Sequence, residues 1–269
     1  MRGGDAAIAN AGPDRHDGAR SGVSPCLSLL FREGERPDAL AIGRALESDP
    51  RYSVSQRPGP AAEGASPEWF ELLVDGLTFD ILGLAPGRPS APPPIRHRFE
   101  FAEPDERIEG IGLAAGPHLA AAQSSLAVVR AMAMMTVDLA HALEREPVGV
   151  VWLPSASAMG VPYFTDIVDS WAGGGPFPSL GLVGIVGPTD GTLTTDGLAF
   201  FSGQELIVEG RAAEDRPAAT HLLAPMIDFL VGAEPVREAT VMRGPDDALY
   251  DVAPSRDGRI VHVRRRGDD

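Results

Sequence analysis

Between Pro117 and Pro147 the chain runs HLAAAQSSLAVVRAMAMMTVDLAHALERE, with no glycine or proline inside it. Pro117 suits a first helical position, where its missing N–H loses no partner. Pro147 restricts Glu146 and blocks continuation. The pattern predicts one helix over Pro117–Glu146, roughly 45 Å long at about 1.5 Å per residue. Steps of about 100° gather Gln123, Arg130, Asp138, His141 and Arg145 into one narrow stripe. Leu119, Leu126, Val128, Val129, Met132, Met135, Val137, Leu139 and Leu143 cover most of the remaining surface. So thin a polar face belongs to a mostly buried helix. Met132, Met134 and Met135 are expected as core filler, because Met adapts to irregular gaps. The polar stripe is expected to face solvent.

The segments on either side follow a similar plan. Residues 1–24 have no hydrophobic period and read as a disordered tail. From 25 to 84 the pattern is β-α-β-β-β, or β-α-β-β if the weak second strand is not formed: a strand near Cys26–Phe31, a helix to about Ser48, a short strand at Tyr52–Gln56, then Trp69–Val74 and Leu77–Leu84. The last two flank Asp75-Gly76, a strong hairpin signal. Residues 85–116 read as a Pro- and Gly-rich linker, with a short strand near Arg98–Phe101 and a long connection over Glu103–Gly116. From 117 to 210 the central helix leads into a second β-α-β-β unit: Val148–Leu153, a helix at Pro162–Trp171, a strand at Leu180–Val186, a hairpin around Asp196-Gly197 and a strand at Leu206–Glu209. Residues 211–269 give a helix capped by Asp215 and kinked or opened at Pro225. A meander of Ala239–Met242, Leu249–Ala253 and Ile260–Val263 follows. The expected fold is α+β, with two related β-α-β-β halves forming an internal pseudo-repeat, joined by the buried helix and packed with the C-terminal unit as one globule.

Composition narrows the function classes. The 38 acidic residues exceed the 23 basic ones, all of them arginine, and the net charge is −15. Such a chain is poorly suited to nucleic acid or anionic membrane, which require phosphate neutralisation. A partner, if there is one, is expected to be another protein. No apolar run is long enough for a membrane span, and the N-terminus lacks a signal peptide's apolar stretch. Cys26 has no second thiol to pair with, which points to a reducing, cytoplasmic location. Mid-strand burial is the expected role of Cys26.

Chemistry is sparse. There is no G-x-S-x-G elbow and no phosphate-binding P-loop. The histidines at 16, 97, 118, 141, 221 and 262 never fall at H-x-x-x-H spacing, so neither a metal site nor a cofactor is expected. Gly110, Gly112 and Gly116 do not complete a dinucleotide pattern. The weak catalytic candidates are His118, Glu205 and Ser155, and a site is looked for first at Gly110–His118, just before the helix.

Three pieces carry a resemblance to a known group of proteins: Gly110–His118 ahead of the Ala-rich helix, Val150–Pro154, and Gly197-Leu198…Phe201…Glu205-Leu206…Val208. They resemble a bacterial family of uncharacterised domains, with GL-x-F-x-x-x-EL-x-[IV] in a late strand. The resemblance covers about residues 26–210 and implies fold boundaries without an activity. The expected function is a non-catalytic, cytoplasmic protein-interaction module, an adaptor or immunity-like binder. The alternative is a hydrolase or small-ligand-binding enzyme with its site between the two halves.

Overall fold

The structure is a computed structural model. It describes residues 24–46, 48–56, 69–90, 94–102, 104–187, 192–209, 216–244 and 247–267. Almost all of the expected N-terminal tail and the Asp215 cap lie outside these residues. The protein is α+β, built on two sheets and helices that share one continuous core.

The first sheet contains β1 (Leu27–Arg32), β2 (Tyr52–Gln56), β3 (Trp69–Val74), β4 (Leu77–Leu82), β5 (His97–Phe99), β6 (Ile108–Ala115), β7 (Gly149–Trp152) and β8 (Ser157–Met159). Their order is β2-β3-β4-β6-β1-β7-β8-β5. Pairing is antiparallel except where β5 joins β8. The β3–β4 hairpin turns at Asp75-Gly76, both with positive φ (48° and 82°), which the Asp-Gly pair predicts. Helices α1 (Ala39–Leu46), α2 (Leu126–Ala142) and α3 (Val161–Ala172) cover one face. Leu30, Phe101, Val151 and Ala158 are buried together on the other face, packed with Ile95 and Ile108. Both faces of β1 are therefore covered, which explains its continuous apolar run.

The second sheet contains β9 (Gly184–Val186), β10 (Leu193–Asp196), β11 (Glu205–Glu209), β12 (Thr240–Arg243), β13 (Leu249–Pro254) and β14 (Ile260–Arg265), in the order β12-β13-β14-β11-β10-β9. Helix α4 (Ala199–Ser202) is a single turn between β10 and β11, and α5 (Arg216–Gly232) follows β11. Leu222, Leu223, Met226, Ile227 and Leu230 of α5 are buried in the same core as Leu206, Val208, Tyr250, Val252, Val261 and Val263 of the sheet. On β11, β13 and β14 these buried residues alternate with more exposed ones, as in a sheet with one wet face.

Four expectations are corrected. First, the long helix is two pieces. Pro117–Ala122 is an exposed 3-10 turn, and α2 begins only after Ser125, whose side chain accepts the Val128 N–H at 3.4 Å. The Ala-rich start has no fully buried residue and packs only Leu119 against the core, so a local serine cap outcompetes continuous helix. Leu143 is already extended. With 17 residues, α2 is about 26 Å long.

Second, residues 85–116 are not simply a linker, because β5 and β6 lie within them. The glycines of β6 allow close approach: a Cβ on Gly112 would stand 2.9 Å from Pro25, and one on Gly116 2.3 Å from Thr78 Oγ1. The chain before β6 is also pinned to the sheet. Ser90 N–H donates to Gly110 O at 3.0 Å. The buried Arg36 donates to Gly83 O, to Gly87 O at 2.9 Å and to Glu109 at 2.8 Å.

Third, strands do not divide as the expected halves do. β7 and β8 belong with β1–β6, while β9, β10 and β11 join the C-terminal meander. The strand expected over Leu180–Val186 is shortened to β9, because the chain first turns irregularly through Gly181, φ 124°.

Fourth, Asp196-Gly197 is not a hairpin tip. β10 and β11 pair across α4, with Leu193 opposite Val208.

The stripe on α2 is also less wet than expected. Arg130 lies over the Trp171 ring at 4.7 Å. Asp138 accepts from Tyr52 Oη and pairs with Arg51 at 3.0 Å. Arg145 reaches Glu35 at 3.7 Å. The stripe thus ties α2 to its neighbours, and burial together with the bond to Asp138 pushes the Tyr52 phenol well above its ordinary range.

Candidate functional site

The richest polar cluster lies where the two sheets meet. After β7 the chain turns through Leu153–Ala156, closed by Ala156 N–H to Leu153 O at 3.1 Å. Ala156 holds a positive φ of 54°, a conformation that costs a non-glycine residue roughly 1 kcal/mol. Its carbonyl accepts from Arg96 N–H at 2.9 Å and His97 N–H at 3.3 Å. β5 then runs parallel to β8 with His97 opposite Ser157. From the second sheet, Asp196 binds His97 Nε2 through Oδ2 and Arg96 through Oδ1, both at 3.0 Å.

Two glycines make this contact possible. Gly184 pairs with Asp196 on β9, and a Cβ there would fall 2.2 Å from His97 Nε2. A Cβ on Gly197, whose φ is 90°, would fall 2.7 Å from Ser155 Cβ. Any larger side chain would force the sheets apart.

Ser155 lies in this junction, fully buried, with Ser155 Oγ 2.7 Å from the equally buried Ser157 Oγ. Glu205 lies just beyond Gly197. Its carboxylate accepts from Thr195 Oγ1 (2.6 Å) and from the N–H groups of Gly197 (2.9 Å), Leu198 (3.2 Å) and Ala199 (3.1 Å). Those bonds gather the chain into α4, which is why a turn of helix replaces a hairpin. His118 is elsewhere. It is exposed on the 3-10 turn and hydrogen-bonds Thr78 Oγ1 of β4 at 2.8 Å. β4 is four strand spacings from β8 in the sheet order, roughly 19 Å at about 4.8 Å each. Ser155 and Glu205 are therefore brought together, and His118 is not.

His97 and Asp196 were missed in the sequence. The signal for His97 was the alternation His97, Phe99, Phe101 after the proline run. No local signal pairs it with Asp196, 99 positions later. A histidine oriented by a carboxylate beside a hydroxyl resembles part of an acyl-transfer site. The remaining geometry opposes that chemistry. The serines bond each other, neither hydrogen-bonds His97, and both are sealed from solvent.

Next to the junction, Trp152 stacks on Phe201 at 5.7 Å and meets Phe200 edge-on at 5.2 Å. Trp152 Nε1 and Arg130 Nε are buried without hydrogen-bond partners among the described residues. Cys26 is buried in the core, and burial pushes its thiol up to about 11, so the nucleophilic thiolate is disfavoured. Among the described residues no three His, Cys, Asp or Glu side chains are grouped to hold a metal ion. No helix among them is long and apolar enough to cross a membrane.

Three open grooves lie away from the junction. One of about 380 Å³ separates α1 from the end of α2, with Leu40, Arg44 and Arg145 on its walls. One of about 230 Å³ is apolar, between Pro225 and Met226 of α5 and Met242 and Tyr250. The third, about 510 Å³, has a mixed lining and surrounds Gln204. Comparisons of the chain with protein-family models, curated proteins and solved structures found no match.

Proposed function

We propose that the protein is a non-catalytic interaction module acting in the cytoplasm, an adaptor or immunity-like binder of another protein. One observation carries this reading: the groups best suited to chemistry are committed to holding the fold. Glu205 spends its oxygens on four donors, and Ser155 is closed off by Ser157 and Gly197. The free surface is of the other kind. β12 is a sheet edge carrying the exposed Val241, next to the exposed Leu249 of β13, and such edges accept a partner's strand. The test is a pull-down of the tagged chain from its native lysate. A partner at stoichiometric level is expected, lost when Val241→Lys charges the edge. No stoichiometric partner would sink the proposal.

A second reading, a hydrolase or ligand-binding enzyme at the sheet junction, draws on the adjacent registers of His97 and Ser157 and on the His97–Asp196 pair. A serine-directed fluorophosphonate separates the two readings. Labelling of Ser155 or Ser157 in the folded protein would replace the binder with the enzyme. No labelling is expected.

A further inference from the structure

The groove around Gln204 has fixed banks and unspent positive charge. Gln204 is 3% exposed, yet its amide is fully used. Its Nε2 donates to Val236 O at 3.0 Å and Gly258 O at 2.8 Å, and its Oε1 accepts the Val236 N–H at 2.7 Å. One buried side chain thus clamps the segment after α5 to the β13–β14 turn. The turn is fixed from its own side. Ser255 Oγ donates to Asp257 at 2.7 Å and accepts the Ile260 N–H at 3.0 Å, while Asp257 also accepts the Arg259 N–H at 3.2 Å. Pro235 and Pro254 stiffen the two banks.

Arg237 stands on one bank and Arg256 on the other, both exposed. Nine other arginines are in ion pairs among the described residues: Arg32, Arg36, Arg51, Arg96, Arg107, Arg145, Arg243, Arg264 and Arg266. Arg237 and Arg256 have no acidic partner among the described residues. Asp257 is the one acid on the groove, and its carboxylate is engaged by Ser255 and the Arg259 N–H. Two free guanidinium forks on clamped banks suit bidentate pairing with carboxylates. A space of about 510 Å³ is far larger than one phosphate needs and takes a short extended segment. The net charge of −15 repels polyanions at long range, so recognition here is a short-range matter of these two side chains.

We infer that this groove docks an acidic segment of a partner protein, its carboxylates straddled by Arg237 and Arg256. The inference rests on the interaction-module reading and names its partner's chemistry. Fluorescein-labelled hexaglutamate is the probe, followed by anisotropy on the full chain at about 0.15 M salt, where charges beyond about 8 Å are screened. It is expected to bind, and Arg237→Ala/Arg256→Ala to weaken it about tenfold. Arg44→Ala/Arg88→Ala makes the same charge change at two exposed arginines outside this groove, and is expected to leave binding unchanged. Circular dichroism confirms that both variants fold. Equal losses in the two variants, or binding no stronger than that of hexaglutamine, would overturn the assignment. Tripolyphosphate binding more tightly than the peptide through the same arginines would also overturn it, in favour of a phosphate site. A stoichiometric lysate partner with no peptide binding would leave the module standing and remove only the groove.

Discussion

The two sheets solve the same problem in different ways. In the first, β1 is buried on both faces, and its neighbours approach closely over Gly110, Gly112 and Gly149. Its tolerance depends on small residues and jigsaw packing. The second sheet keeps one face for α5 and the core and gives the other to solvent. On that outer face Glu209 pairs with His262 at 2.7 Å and Arg264 at 2.8 Å, and Asp251 pairs with Arg266 at 2.7 Å. Burial on two faces makes a strand intolerant, whereas burial on one leaves half its positions free. The junction between the sheets belongs to the intolerant kind, because Gly184 and Gly197 press on His97 and Ser155.

That contrast can be broken by mutation, starting with the largest effect. Trp152→Ala in the first sheet should cost about 3–5 kcal/mol in chemical denaturation, since a fully buried ring is lost. Ile207→Ala on the second sheet's outer side should cost about 1 kcal/mol or less. Equal costs would erase the distinction. Glu205→Ala should cost about 2–3 kcal/mol, because it strips three backbone N–H groups and the Thr195 hydroxyl of their acceptor. If Glu205 were instead a working carboxylate, its removal would stabilise the chain.

Gly184→Ala should cost about 1–3 kcal/mol by overpacking. In a double-mutant cycle with His97→Ala, part of that cost should be recovered, because the clash is with the imidazole. Strict additivity would mean that the sheets do not meet through this pair.

The smallest expected effect is electrostatic. The bond to His262, with Arg264 in support, holds the Glu209 carboxyl below the usual glutamate value of 4.5. A lowered native value means that the ionised carboxylate stabilises the fold at higher pH. That contribution is complete above 4.5 and is lost as the pH falls through the native value. Glu209→Gln should therefore lose about 0.5–1 kcal/mol at neutral pH. The loss should vanish in acid, which a urea series at several pH values would show. A difference that grows on acidification would reverse the sign of this argument.

Local signals fixed the elements that depend on neighbours in the chain. Asp75-Gly76 specified its hairpin, the apolar face of residues 161–172 specified α3, and three short runs separated by turn residues specified the C-terminal meander. The burial of Met132 and Met135 was also legible, since periodicity alone assigns an inward face. For the site, the sequence offered Ser155 and Glu205 without their setting, and its third choice, His118, stands on the 3-10 turn beside β4.

Tertiary structure decided the rest. Whether Gly110–Ala115 is a loop or a central strand depends on β1 and β4 lying on either side of it, and glycine's local preference points the other way. The unbroken run from Pro117 to Pro147 predicts one helix. Ser125 caps a shorter one, because of the residues before it only Leu119 packs against the core and none is fully buried. The partners of Asp196 and Gly184 are 99 and 87 positions away at His97, beyond the reach of any pattern with a period of two or of 3.6 residues.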